Sequence, residues 1–255
     1  MAKITAAWGT VRAGLQNLNS YEIKRVVGLA GLDVLELAAL RQEDGVSKGQ
    51  LMSAIDGLLG QEDVETQRHA VAIVVEELLQ KNPALSESME PGLARHGWGL
   101  AGNTLVPLEL FDLTEIAALP DAVQVDLVKA AQRFRDGDLG GAISAACGAV
   151  DTAVAAVYLR YGLGDHTDAT FQEGCNKALA AVVDHEDALR AFGWDEGTLK
   201  QFLGNFKGAL SQGAFVMQTL RSRMGDVHGT KPILKALVFD AIKWAELFVR
   251  RLSVP

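Results

Sequence analysis

The sequence predicts a mainly all-α protein: a helical N-terminal domain carrying one small β-hairpin, followed by a helical bundle. Three observations lead there. Apolar residues recur three and four positions apart along most of the 255 residues, the repeat of one helix face. Strand-like runs flanking a turn signal are confined to 97–107. Ser, Asp or Pro stands ahead of successive apolar runs, as at helix starts.

Ser20 caps the run over 21–40, in which Ile23, Val26, Val27, Leu29 and Ala30 recur at helical spacing. Gly31 divides that run into two helices. Ser47 caps a helix over 48–59, and Asp63 opens one over 64–81 that stops before Asn82-Pro83. A shorter helix follows over 86–97. Between Gly97 and Pro107, short apolar pieces flank Gly102-Asn103, which suits a hairpin. Residues 108–122 read as a linker with some helix, and Pro120 opens the next unit.

Long helices then take over. One spans 120–135 and ends at Asp136-Gly137-Asp138. The next, Leu139–Tyr161, is rich in Ala and Gly; small residues let backbones approach closely, which places it at the centre of its domain or in a subunit contact. Shorter helices are expected over 171–183 and 186–193, a long one over 196–224, and a closing one over 231–252. No internal repeat is present. The expected division is 1–118, a helical sensing or regulatory domain, and 119–255, a helical bundle.

Composition bounds the function. At 49% hydrophobic and 22% charged residues, the chain has the make-up of a soluble globular protein with a full core. The N-terminus lacks the charged-then-apolar pattern of a signal peptide. Its most membrane-like window, Leu139 to Tyr158, carries Asp151 in the middle and reads as a buried helix, with no membrane partner. Cys147 and Cys175 offer neither a disulfide framework nor metal-ligand spacing, so a cytoplasmic protein with reduced thiols is expected.

A net charge of −8 argues against a nucleic-acid binder, but the charge is unevenly placed. Residues 1–195 hold 28 acidic and 15 basic side chains; residues 196–255 hold 4 acidic and 9 basic. The positive field therefore gathers in the last 60 residues, where Lys207, Lys231 and Lys235 are candidate RNA contacts.

No dinucleotide fingerprint, phosphate loop, zinc-protease motif or serine-nucleophile elbow occurs, and no cofactor is implied. The tetrads Asp165–Asp168 and Asp184–Asp187, built around His166 and His185, have metal-ligand chemistry, yet sit at helix edges where aspartates cap. No metal is assigned there. His69 and His96 sit in helical contexts and read as structural.

The strongest candidate is Thr219 to Pro232, with Arg221, Ser222 and Arg223 ahead of Gly225, and Asp226 and His228 between Gly225 and Gly229. Guanidinium grips phosphate oxygens and stays charged, imidazole exchanges a proton near neutrality, and RNA carries its own nucleophile in the 2′-hydroxyl. In one continuous helix Arg221 and His228 would share a face but stand about 10 Å apart along the axis, so a break at the glycines is needed to bring them together. A helix C-terminus with cationic residues near its carbonyls, closed by glycine, accounts for the same residues without catalysis.

Leu220 to Gly229 resembles the signature of the abortive-infection C-terminal (Abi-C) family, and 128–158, with its Asp-Gly-Asp turn and mid-helix acid, resembles the first half of that family. Together the two motifs cover roughly 121–255. The family is similar to the HEPN superfamily of helical bundles, usually dimeric and often metal-independent ribonucleases, marked by Arg, a polar residue and a His a few positions on. The resemblance implies Arg221 and His228 as catalytic residues, Ser222 as the polar follower, where the family usually has Asn, and Asp151 as the acid that orients them. Arg223 gives a shorter-spaced alternative, with Met224 in the polar slot, and Asp226 lies among the supporting residues. It further implies an antiphage or toxin-type endoribonuclease acting on RNA, a homodimer, and possible control by a partner protein. A HEPN-like module that binds RNA or protein without cleaving is the alternative.

Overall fold

A computed structural model describes residues 4–33, 47–182, 186–226 and 231–253. The protein is mainly all-α with a single two-stranded hairpin among those residues. Its contacts divide it into two units, 1–113 with 135–137, and 114–134 with 138–255. The division falls ahead of the expected boundary at 118–119, and the turn Arg135–Gly137 groups with the first unit.

The first unit holds α1 (Ile4–Leu15), α2 (Ser20–Leu29), α3 (Lys48–Gln61), α4 (Val64–Lys81), α5 (Leu85–Ala94), β1 (Trp98–Ala101) and β2 (Thr104–Pro107). Asn19, one residue ahead of the expected Ser20, caps α2 in a reciprocal box with Glu22. Gly31 takes a positive φ of 81° just past the end of α2, the left-handed turn that favours glycine; the second half of the run it was expected to divide lies outside the described residues. Ser47 and Asp63 cap α3 and α4 as read from the sequence. The strands pair antiparallel, Trp98 with Pro107 and Ala101 with Thr104. α4 packs against α1, α2, α5 and β2, and Val71, Val75, Leu78, Trp98 and Leu105 are fully buried around it.

One charge is locked inside this unit. The Arg135 side chain is 1% exposed. It donates to Glu76 Oε1 at 2.7 Å, to the Leu105 carbonyl at 2.5 Å and to Asp136 at 2.7 Å. Burial opposes its charge, and Asp136 and Glu76 more than offset that, so its pKa lies above the ordinary value.

The second unit is built on α8 (Leu139–Tyr161), which follows α6 (Leu113–Ala117) and α7 (Asp121–Arg135). Around α8 pack α9 (Phe171–Ala181), α11 (Glu196–Met224) and α12 (Lys235–Ser253); a short α10 (Glu186–Ala191) lies on α11. α8 is long and apolar enough to cross a membrane by length and composition, but 61% of that window is buried within the protein. Its Ala142, Ile143, Ala146, Ala149, Val150 and Ala153 form the contact face. α12 starts at Lys235 and not at 231. Pro232 disfavours helix at the residue before it, and the Lys231 N–H is taken by the Arg223 carbonyl at 3.1 Å.

Glycines set how closely these helices approach. A Cβ on Gly213 of α11 would lie 2.6 Å from Cε3 of Trp244 on α12, whereas one on Gly174 of α9 would meet Val154 of α8 at an ordinary 3.6 Å. Gly213→Ala should therefore lower stability by about 1–3 kcal/mol through overpacking. Gly174→Ala should be neutral or stabilise by up to about 1 kcal/mol through the lost flexibility of glycine in a helix. Urea unfolding of the two variants beside the parent checks the contrast; equal effects would contradict it.

Candidate functional site

The site forms where the end of α11 meets α8. Gly225 ends α11 with φ −67° and ψ 160°, an extended conformation open to any residue. Glycine is required there for space. A Cβ would stand 2.5 Å from the Arg221 carbonyl oxygen and 3.1 Å from Ser144 Oγ. On the facing helix, a Cβ on Gly140 would press the Met224 carbonyl and the Asp226 N–H, both at 3.3 Å. Backbone therefore meets backbone at this junction.

Asp226 fastens the seat. It accepts from Ser144 Oγ in a short bond and from Arg133 Nη1 at 3.2 Å, while its own N–H donates to Ser144 Oγ at 3.3 Å. The Ser144 hydroxyl, then Arg133, hold its carboxyl below the usual carboxylate range. Asp226 is thus a positioning residue for the helix end.

One turn back along α11, Arg221 Nη1 donates to Asp151 Oδ2 of α8 at 2.6 Å. The side chains are 45% and 39% exposed, so solvent reaches both. Burial works against the Arg221 charge, but the hydrogen bond and charge of Asp151 raise its pKa above the ordinary value. The bond occupies one nitrogen of a group with five N–H donors. Beneath the pair, burial pushes the Cys147 thiol up to about 12, and Cys175 likewise. Both cysteines are free and buried, and neither is a nucleophile at neutral pH.

Arg221 and Asp151 line a cleft of about 240 Å³ shared with His166, Thr170 and Phe171. His166 stands on a short 3₁₀ turn, His166–Asp168, edge-on to Tyr158, with Nδ1 3.9 Å from Asp165. The start of α9 borders the cleft, and three of its amides are engaged. Gln172 N–H donates to Gln218 Oε1 at 2.9 Å, Glu173 N–H to Thr170 Oγ1 and Gly174 N–H to the Thr170 carbonyl. Arg221 supplies the cationic side chain of this cleft.

The other sequence candidates separate. His228, Asp184 and His185 lie outside the described residues. The chain on either side of 227–230 is anchored, by Asp226 on Ser144 and by the Lys231 N–H on the Arg223 carbonyl. Ser222 does not turn toward the cleft: its hydroxyl donates to the Gln218 carbonyl at 2.8 Å, the local back-bond common for serine in helices. Arg223 and Lys231 are exposed. Lys235 lies over the Phe134 ring. Lys207 is displaced from the cleft by 14 residues of α11, about 21 Å along the axis, and lines a different cavity. Sequence reasoning weighed His166 only as a metal ligand and missed its place beside Arg221; only the fold of α8 back onto the 3₁₀ turn reveals it.

Comparison with protein-family models, with curated proteins and with solved structures finds no match for this chain.

The depressed carboxyl of Asp226 sets a pH dependence. Its folded pKa lies below the unfolded value, so its contribution is present above about pH 4 and is lost as pH falls through the folded pKa. Asp226→Asn should remove that part of the acid-induced loosening of the α11 end, seen as faster amide exchange at residues 221–226 in the parent but not the variant below about pH 4. An acid response identical in the two proteins would contradict the assignment.

Proposed function

We propose that the chain is an endoribonuclease of the antiphage or toxin–antitoxin kind, cutting RNA through its own 2′-hydroxyl without a metal ion. The observation that carries this reading is the solvent-reachable Arg221, oriented by Asp151 at 2.6 Å in a cleft. In the sequence, His228 follows Arg221 by seven residues.

In this mechanism His228 takes the 2′-hydroxyl proton, the 2′-oxygen bonds to phosphorus, and the bond to the 5′-oxygen breaks with a proton returned to it. Arg221 steadies the charge that builds on the phosphorane oxygens. Two proton transfers suit two imidazoles, and His166 in the cleft is the second candidate. The products are a 2′,3′-cyclic phosphate and a 5′-hydroxyl. Two copies of the chain would place two basic C-terminal segments along one RNA, with Lys207, Lys231, Lys235 and Arg223 as backbone contacts. The first unit would serve as sensor or as the seat of a regulatory partner.

A second reading, a HEPN-like module that binds RNA or protein without cutting, is favoured by two observations. Ser222 spends its hydroxyl on its own helix, and Asp151 neutralises Arg221 directly.

Purified parent, Arg221→Ala, His228→Ala and His166→Ala proteins incubated with total RNA separate the two. Each alanine variant should lose about 10²–10⁴-fold in cleavage rate, a chelator should leave the parent unaffected, and fragment ends should be cyclic phosphate and 5′-hydroxyl. Chelator-sensitive cutting with 5′-phosphate ends, or undiminished cutting by His228→Ala, would sink the nuclease. RNA binding without any cleavage by the parent would establish the binding module.

A further inference from the structure

A second cavity, of about 330 Å³, opens between α9, α11 and α12. It lies toward the opposite end of α11 from Arg221 and shares no lining residue with the first cleft. Leu179, Leu203, Phe206 and Leu210 give it an apolar wall, and Lys207 and Arg251 are its charged residues. Among the described residues, no aspartate or glutamate lines it. That combination, a mostly apolar hollow with a few polar groups of one sign, is the usual make-up of a small-molecule site.

Arg251 supplies an independent observation. Its guanidinium carbon sits 5.4 Å from the Phe206 ring centroid, and its Nε is buried with no hydrogen-bond partner. An arginine in the last turn of a helix ordinarily turns to the terminal carbonyls or to water. This one is laid across an aromatic face with its Nε covered, and its guanidinium makes no hydrogen bond or ion pair among the described residues. As a lining residue of the cavity, it can offer its terminal N–H groups to an anionic acceptor in a charge-assisted bond.

We propose that this cavity binds a small amphiphilic carboxylate. Its apolar body would lie among the leucines and its carboxylate would accept from the terminal N–H groups of the Arg251 guanidinium. At roughly 30 Å³ per water-sized unit, the volume holds about ten non-hydrogen atoms, the size of octanoate. The proposal does not rest on the RNA reading, although Lys207 belongs to both, and its test uses no RNA.

The probes are octanoate, 1-octanol and acetate, titrated into the full-length protein carrying labelled leucine methyl groups. Octanoate should shift the methyl signals of Leu179, Leu203 and Leu210 saturably at one site. Octanol, equal in apolar body but uncharged, should bind at least tenfold more weakly, and acetate should not bind. Arg251→Met should weaken octanoate at least tenfold and leave octanol unchanged. Should that variant fail to fold, Ala180→Phe, an exposed lining position, fills the cavity from the outside and should abolish octanoate binding. Shifts that do not saturate, that map elsewhere, that octanol reproduces equally, or that survive Arg251→Met or Ala180→Phe would overturn the proposal.

Discussion

Close backbone contact between the end of α11 and the first turn of α8 is the constraint on which the candidate site depends. Two attachments act together. Gly225 and Asp226 sit against Gly140 and Ser144, and Arg221 grips Asp151. Ser144 and Asp151 lie about 10 Å apart along α8, and Arg221 sits in the last turn of α11, ahead of the extended Gly225 and of Asp226. A single contact would leave the helices free to pivot; two separated contacts fix both their shift and their rotation. Glycine at 225 and 140 favours the first attachment, because a Cβ at 225 would crowd the Arg221 carbonyl and one at 140 would press on the backbone of Met224 and Asp226.

The interior beneath the pair reinforces this placement. α8 presents alanines and small apolar residues to α9, α11 and α12, so the helices lie close, and Cys147, fully buried, faces the Met217 carbonyl at 3.8 Å. Its thiol, pushed up to about 12 by burial, marks a dry layer directly under a solvent-reachable ion pair. Side chains anchored in such a layer move little. Arg221 and Asp151 thus combine rigid attachment with access to solvent, the combination that a binding or catalytic group requires.

Much of this fold can be read from the chain. Caps at Ser47 and Asp63, the hairpin around Gly102-Asn103 and the limits of α8 follow from local chemistry, which acts over a few residues and leaves a local signature. Asp151 and Arg221 were legible through a resemblance and through the chemistry of the two groups; their contact is 70 residues long-range and left no mark in spacing. What failed to show was tertiary. Gly225 reads as the glycine that closes the helix, and it does end α11, but the crowding that keeps it glycine comes from the Arg221 carbonyl and from Ser144, 81 residues away. Ser222 reads as a site residue, yet a carbonyl of its own helix competes successfully for its hydroxyl. His166 reads as a helix-edge cap neighbour until α8 reverses through Gly162, at φ 62°, and the turn that follows brings the imidazole beside Arg221. Lys207 shares a basic segment with Arg221, but helix rise carries it a full cavity away.

Two arginines in the same protein show how environment assigns a guanidinium its work. Arg135 is 1% exposed and spends its donors on Glu76, Asp136 and the Leu105 carbonyl. Removing any partner would strand a charge in a medium that cannot solvate it, so that group cannot be lent to a ligand. Arg221 is 45% exposed and holds one carboxylate. An exposed pair contributes little stability. In the proposed reaction the guanidinium would use its remaining N–H groups for a phosphate oxygen, while Asp151 keeps the arginine aimed into the cleft. Under the proposed function, that exposure and those unused donors are what would let Arg221 meet a ligand.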